Sequence, residues 1–131
     1  MANLYPSWIE IPVADVARAA RFYQAIFALD DMPRYNEPPA QIVVLTSSDK
    51  AQRAPGVSLV QSPDHHPGGG VVINFHLGDH AALDGAVAQV RQHGGQVPHP
   101  AVDTNDGQRY LTVLDSEGNR IALSSYEPVG D

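Results

Sequence analysis

The clearest alternation of apolar and polar residues lies near the start of the chain. In residues 8–13, β-branched apolar residues occupy every second position, and Trp8 and Glu10 lie between them. A period of two predicts a β-strand whose two faces meet different surroundings. Asp15 follows as a candidate helix cap, and apolar residues then recur at helical spacing, which predicts an amphipathic helix. Those apolar residues are Val16, Ala19, Ala20, Tyr23 and Phe27.

The second half of the chain repeats this order. A strand pattern over residues 72–77 precedes a second candidate cap, Asp79, and the helix pattern after it ends at Gly94 and Gly95. Short apolar stretches predict further strands after each helix, at 41–45 and 56–60 and then at 110–114 and 120–124. A repeated strand–helix–strands order predicts an α+β fold made of two copies of one module.

A segment rich in glycine and proline, residues 62–70, has the composition of a linker between the two halves. We therefore predict one domain over residues 1–131, with module one at about residues 5–62 and module two at about 71–127. A helix packed on one face of each sheet leaves the other face free to line a cavity. Trp8, Glu10, Val72 and Asn74 are predicted to lie on these free faces.

The charge of the chain argues against several classes of partner. The formal net charge is −7, and the eight Lys and Arg residues form no cluster. Nucleic-acid binders and proteins of acidic membrane surfaces use clustered basic residues, so we expect neither partner. No apolar run approaches the roughly 20 residues of a membrane-spanning helix, and no signal peptide is expected. The chain has no cysteine, which excludes disulfides and thiol catalysis, and we expect a cytoplasmic protein.

Two segments of the chain resemble a known family. Residues 9–15, followed by Phe22 and Tyr23, are similar to the opening of glyoxalase/bleomycin resistance/dioxygenase-like proteins, the vicinal oxygen chelate (VOC) superfamily. Residues 114–123 resemble the closing strands of that family, and the likeness covers about residues 7–126. The chain is similar in particular to a branch of predicted enzymes related to lactoylglutathione lyase. Ala28 departs from the pattern, because the family usually has glycine where the first helix ends.

The resemblance implies both an architecture and a metal chemistry. It implies two βαβββ modules whose sheets form a half-closed, cupped barrel, and a homodimer. In the metal-dependent members a divalent ion in the cup is held by four side chains, usually His, Glu or Gln, one from each of four strands. That ion acts as a Lewis acid that stabilises an enediolate.

The corresponding positions of this chain carry other residue types. Counting seven residues back from each helix cap gives Trp8 and Val72. The closing strand gives Ala122, and the fourth position falls near Ser58 or Val60. Indole, isopropyl and methyl groups do not ligate metal ions. We therefore expect neither a metal nor another cofactor at this site.

Glu10 is the candidate catalytic residue. As a general base it would have to be buried, and the alternative is a solvated carboxylate at the rim of the cup. With His76 it would offer two metal ligands, although two side chains alone do not make a site. Trp8 is suited either to stack on a planar ligand or to fill the space of a missing metal site. Tyr35 is predicted in a loop at the mouth of the cup, and His65 at the surface of the linker.

The partner is expected to be an unidentified small molecule. Three functions remain open: a glyoxalase-related enzyme or binding protein without the usual metal, a metal-dependent lyase or dioxygenase, and a resistance protein that sequesters a drug or metabolite. No serine has a visible His/Asp relay, so nucleophilic catalysis is not predicted. The residues expected to contact a ligand are Trp8, Tyr35, Val60, Val72, Asn74, His76, Tyr110, Ala122 and Ser124.

Overall fold

The fold is known from a computed structural model, which describes residues 6–130. Module one contains, in chain order, β1 (Trp8–Pro12), α1 (Val16–Phe27), β2 (Arg34–Glu37), β3 (Ala40–Thr46) and β4 (Gly56–Gln61). Module two contains β5 (Ile73–His76), α2 (His80–Gln92), β6 (Val102–Asp103), β7 (Gln108–Leu114) and β8 (Arg120–Tyr126).

Each module folds into a four-stranded sheet of mixed direction. The strand order is β1-β4-β3-β2 in module one and β5-β8-β7-β6 in module two. The first strand of each module is parallel to the last, and the other pairs are antiparallel. Glu10 lies opposite Ser58, and Asn74 lies opposite Ala122, so these two pairs are equivalent in the repeat. The predicted α+β fold with two βαβββ modules is confirmed, although the two sheets do not close into a barrel.

Both helices begin at the predicted caps. The Asp15 carboxylate accepts a hydrogen bond from the Arg18 amide at 3.0 Å, and Asp79 accepts one from the Ala82 amide at 2.9 Å. Helix α1 ends at Ala28, which has a left-handed backbone with φ of 52° and donates its amide to the carbonyl of Gln24. This left-handed conformation costs an alanine about 1–2 kcal/mol relative to the right-handed one. No helix within residues 6–130 is long and apolar enough to cross a membrane.

Two strands escaped the sequence analysis because they lack an apolar face. Strand β2 consists of Arg, Tyr, Asn and Glu, all exposed at the edge of the first sheet, and β6 has only two residues, both exposed. Without a buried face a strand has no period of two in its hydrophobicity. The prediction that Tyr35 lies in a loop was therefore wrong, because it lies in β2, opposite Ile42 of β3.

One hydrophobic core joins the two modules. Helix α1 packs against α2, and each helix also packs against strands of its own sheet. The core combines residues of both halves, among them Phe22 and Leu59 of module one and Leu83 and Leu123 of module two. Each sheet therefore buries one face against the helices and leaves the other face uncovered, as the sequence predicts.

The turn between β7 and β8, residues 115–119, ties module two to module one. Asp115 is only 2% exposed, and its carboxylate accepts a hydrogen bond of 2.6 Å from the hydroxyl of Tyr23 in α1. The same carboxylate accepts the amides of Glu117 and Asn119, both at 2.8 Å, which fixes the shape of the turn. Asn119 in turn donates its side-chain amide to the carbonyl of Pro12 at 2.8 Å. Burial and the neighbouring Asp115 charge raise the pKa of Tyr23 well above its ordinary value.

Glu117 makes the second contact of this turn with module one. Its carboxylate accepts the amides of Ala14 and Asp15, each at 3.0 Å, and forms an ion pair of 2.7 Å with Arg18. Burial raises the pKa of Glu117, but the hydrogen bonds from Arg18 and from the backbone outweigh burial and lower it below its ordinary value. The start of α1 is thus capped by a carboxylate from the other module.

We expect Tyr23→Phe to lower the free energy of unfolding by about 1–3 kcal/mol, because it removes one of the two donors to a buried Asp115 oxygen, the other being the side-chain amide of Asn119. The measurement is equilibrium urea unfolding followed by circular dichroism. Tyr126→Phe is the matched control, since Tyr126 is substantially exposed and its change should stay within about 0.5 kcal/mol. Equal effects of the two variants would contradict the structural role of Tyr23.

Candidate functional site

Trp8 lies on the uncovered face of the first sheet, held against β4. Its indole Nε1 donates a hydrogen bond of 3.1 Å to the hydroxyl of Ser58. Its ring lies over Gly56, where an added Cβ would be only 2.2 Å from the ring carbons. Even so, Trp8 remains 44% exposed. The indole thus fills the space above Gly56 and still presents aromatic surface to a ligand.

A hollow of about 330 Å³ surrounds this indole, and we call it the first hollow. Trp8 and Tyr35 supply its aromatic surface, Glu10 and Glu37 supply two carboxylates, and Ile42 is among its apolar residues. The volume lies near the lower end of the range of about 300–1,000 Å³ that is typical of small-molecule sites. The first hollow therefore combines aromatic faces with negative charge. Sequence reasoning missed Glu37 because β2 was not predicted.

Glu10 is paired with a residue of the linker. Its carboxylate lies 3.0 Å from Nε2 of His65, and its side chain is 50% exposed. The burial that a general base would need is therefore absent at Glu10. His65 was predicted at the surface of the linker, yet it is only partly exposed and its Nδ1 is buried. No periodicity links residues that are 55 positions apart, so the sequence held no signal for this pair.

Three of the predicted site residues of module two lie in a second hollow of about 430 Å³. Asn74, Tyr110 and Ser124 line it together with Asp106 and other residues of the β6–β7 connection. A hydrogen bond from the Thr104 hydroxyl lowers the pKa of Asp106. The second hollow has no residue in common with the first hollow. The structure thus divides the expected single cup into two surfaces.

The remaining predicted site residues lie elsewhere. Val60 and Ala122 face the uncovered side of their sheets but are buried, and neither lines the first or the second hollow. Val72 is partly exposed and lies just before β5. His76 lines a third hollow between the modules, away from the surfaces that Glu10 lines. Glu10 and His76 are therefore not brought together as metal ligands.

The four strand positions that correspond to metal ligands in the resemblance do not carry side chains suited to a divalent ion. Trp8 and Ser58, at two of these positions, are hydrogen-bonded to each other. Val72 and Ala122, at the other two, have hydrocarbon side chains. Across residues 6–130 no three His, Asp or Glu side chains lie close enough together to hold a metal ion. The chemistry of these side chains is that of an organic binding surface.

The structure also shows a serine–histidine contact that the sequence did not suggest. His80 Nδ1 lies 2.7 Å from the hydroxyl of Ser125, and Glu127 accepts the amide of His80 at 2.8 Å. Ser125 is fully buried, so a substrate cannot reach its hydroxyl. The contact therefore stabilises the start of α2 and is unsuited to nucleophilic catalysis.

Comparisons with known proteins agree with this architecture. A sequence model of the Glyoxalase/Bleomycin resistance protein/Dioxygenase superfamily matches residues 6–123. A comparison with curated proteins found no match. A glyoxalase/bleomycin resistance protein from Albidiferax ferrireducens T118 has a similar structure, with a TM-score of 0.69 and 17% sequence identity over 92% of this chain and 98% of that one.

Two further structures show the same likeness of fold. A glyoxylase/bleomycin resistance protein/dioxygenase domain from Frankia sp. EAN1pec has a TM-score of 0.71 and 12% identity over 97% of this chain and 93% of that one. A mutant of the fosfomycin resistance protein FosX from Listeria monocytogenes, complexed with Mn(II) and 1S,2S-dihydroxypropylphosphonic acid, has a TM-score of 0.67 and 13% identity. The match covers 94% of this chain and 91% of FosX.

We expect Gly56→Ala to displace the indole of Trp8, because the added Cβ and the ring cannot occupy the same space. Trp8 is the single tryptophan of the chain, so its fluorescence emission should shift to longer wavelength as the ring becomes more hydrated. Gly85→Ala is the control, since Gly85 is exposed in α2 with nothing near its Cβ position. Its emission should not change, and it should stabilise the fold by about 0.5–1 kcal/mol. Identical emission from Gly56→Ala and the wild type would contradict the packing described here.

Proposed function

Because the chain belongs to the glyoxalase/bleomycin resistance protein/dioxygenase superfamily, we propose that it binds a small organic molecule on an uncovered sheet face. The ligand that fits best is planar and positively charged, and it binds in the first hollow without the divalent ion of the metal-dependent members. One observation carries this proposal: two exposed aromatic rings, Trp8 and Tyr35, share the first hollow with two carboxylates, Glu10 and Glu37.

The aromatic rings account for the planar shape of the ligand. The indole of Trp8 is held in place by its bond to Ser58 and by its packing on Gly56, so little conformational entropy is lost when a ligand stacks on it. Tyr35 projects from the edge strand β2 and is more exposed than Trp8. A flat molecule can bury its faces against such rings at a gain of about 25 cal/mol per Å² of apolar surface.

The carboxylates account for the positive charge. Glu10 and Glu37 both line the first hollow, and no Lys or Arg lines it. The whole chain carries a net charge of −7, which also favours the approach of cations. A cation over the face of Trp or Tyr gains a further 0.5–2 kcal/mol or so. Charge and aromatic surface therefore favour the same class of ligand.

The role that follows is sequestration of a drug or metabolite. Such a role needs affinity and no reactive group, which agrees with the half-exposed Glu10 and the buried Ser125. The alternative is a metal-dependent lyase or dioxygenase, and elemental analysis distinguishes it from metal-free sequestration. Stoichiometric Ni, Zn, Mn or Fe in protein purified without a metal-affinity tag would overturn the metal-free proposal.

One observation favours an enzyme as the second candidate. His65 lies 3.0 Å from Glu10, and an imidazole–carboxylate pair can take up and return a proton. Glu10→Gln would then abolish turnover while it leaves the affinity for a neutral substrate nearly unchanged. If instead Glu10→Gln loses affinity for a cation and the wild type forms no product, sequestration is favoured.

We expect N-methylquinolinium to bind roughly tenfold more tightly than quinoline, its neutral counterpart, which corresponds to about 1.4 kcal/mol. Isothermal titration calorimetry measures both affinities. Glu10→Gln and Glu37→Gln should each reduce the preference for the cation, and Trp8→Ala should weaken both probes. Asp64→Asn is the control, because it removes one carboxylate outside the first hollow and should leave the preference intact. Equal affinity of the two probes, or no binding of either, would contradict the proposal.

We also propose that the chain forms a homodimer. The uncovered faces expose large apolar side chains, among them Trp8 and Tyr35 on the first sheet and Val102 and Tyr110 on the second. Exposed apolar surface on this scale marks an interface or a ligand site. A second copy that covered part of these faces would also enclose the two open hollows.

Light scattering should give twice the chain mass of 14.1 kDa. Tyr110→Glu should shift the equilibrium towards the monomer, since it places a charge on the uncovered face of β7. Val129→Glu is the control, because Val129 is exposed near the end of the chain and outside both sheets. A monomeric mass for the wild type at high concentration would contradict the homodimer.

A further inference from the structure

The third hollow, of about 410 Å³, lies between the modules, where the end of α1 meets the connection from β5 to α2. It is separate from the first and second hollows and shares no residue with either. Its residues are mostly apolar, and the rings of Phe27 and Phe75 meet there at a centroid distance of 4.8 Å. Thr46 and His76 are its polar residues.

The internal repeat shows why this space is open. Phe75 and Leu77 of module two occupy the positions of Ile11 and Val13 in module one, by the register of the paired strands. Ile11 and Val13 are almost fully buried, and the 115–119 turn lies against their strand through the bond from Asn119 to Pro12. Phe75 and Leu77 are only partly buried. The same surface is thus covered in one module and open in the other.

The turn that would cover the third hollow folds in another way. Residues 47–55 connect β3 and β4, the equivalents of β7 and β8. Asp49 pairs with Ala54 through two backbone hydrogen bonds of 2.9 Å, and its carboxylate accepts the amides of Ala51 and Gln52. Ala82 stands where module one has Arg18, the residue that binds the covering turn. A small side chain therefore borders the open space.

We infer that the third hollow is a second binding site, which takes a small neutral aromatic molecule. Apolar walls favour an uncharged ligand, because a charge would lose its hydration without gaining a partner. No Lys, Arg, Asp or Glu lines this hollow. The Phe27 and Phe75 rings favour an aromatic ligand through edge and stacked contacts, and Thr46 can bond one polar group on it. The volume lies within the range of about 300–1,000 Å³ of small-molecule sites.

Indole is a suitable probe, because it is neutral, bicyclic and carries one N–H donor. We expect it to shift the NMR signals of the Leu45, Val57 and Leu77 methyl groups, which line the third hollow. The Nε1 proton of Trp8 reports separately on aromatic binding in the first hollow, and its signal should titrate independently of these methyl signals. In Trp8→Ala the methyl signals should give an unchanged dissociation constant for indole, so this test is independent of the ligand proposed for the first hollow.

Ala82→Phe tests the site directly. Ala82 is an exposed residue of α2, so a larger side chain there can occupy the third hollow without disturbing the core. We expect the dissociation constant of indole to rise at least about tenfold. Ala81→Phe is the matched control, since Ala81 is the preceding exposed residue of α2 and does not line the hollow. Its affinity should stay within about twofold of the wild type.

Four results would overturn the inference. They are an absence of methyl shifts up to the solubility limit of indole, methyl shifts that disappear in Trp8→Ala, equal affinities of the Ala81→Phe and Ala82→Phe variants, and methyl shifts that depend on protein concentration without indole. The last result would assign the third hollow to a contact with a second copy of the chain. Thermal unfolding of both variants shows whether each is folded under the conditions of the titration.

Discussion

The arrangement of the whole molecule depends on the buried hydrogen bond between Tyr23 and Asp115. A carboxylate that is almost fully buried needs donors, and Asp115 receives them from its own turn and from a tyrosine of the other module. This bond sets how α1 sits on module two, and the Glu117 contacts then set how β1 enters α1. Because α1 and α2 pack together around this point, each sheet is left with one uncovered face.

The two modules carry different side chains on their uncovered sheet faces. At the position where module one has Glu10, module two has Asn74, and Ser58 corresponds to Ala122. A common backbone therefore presents two aromatic rings and two carboxylates in the first hollow, and amide and hydroxyl groups with the single carboxylate of Asp106 in the second. Duplication followed by side-chain divergence gives one chain two surfaces suited to different ligands.

The same divergence explains the third hollow. Five residues form the turn that covers module one, and three of their side chains, those of Asp115, Asn119 and Glu117, contact Tyr23, Pro12 and Arg18 respectively. The longer turn of module one uses Asp49 for bonds within itself. Positions that are equivalent in the repeat are thus buried in one half and accessible in the other. Space between two rigidly packed modules is the kind of place where small molecules bind.

Local patterns determined the elements with a strong period or a clear cap. Residues 8–13 and 72–77 alternate because one face is buried, and Asp15 and Asp79 cap helices because their carboxylates accept amides three residues ahead. The resemblance to the superfamily likewise depends on residues of these elements and of the β7–β8 turn. Through that resemblance, Trp8, Val72 and Ala122 were expected at positions where the metal-dependent members have ligands.

Only the tertiary structure decided which of those residues meet. Strands β2 and β6 have no buried face and so no detectable period. Tyr35 therefore lies in β2 and not in the predicted loop, and Glu37 of the same strand lines the first hollow without having been predicted. The contact of Glu10 with His65 joins a strand to a linker, a pairing that depends on the path of the chain in space. The division of one expected cup into separate hollows is likewise visible only in the folded chain. Hydrophobic period and capping are local properties of the chain, whereas these contacts arise from packing between distant segments.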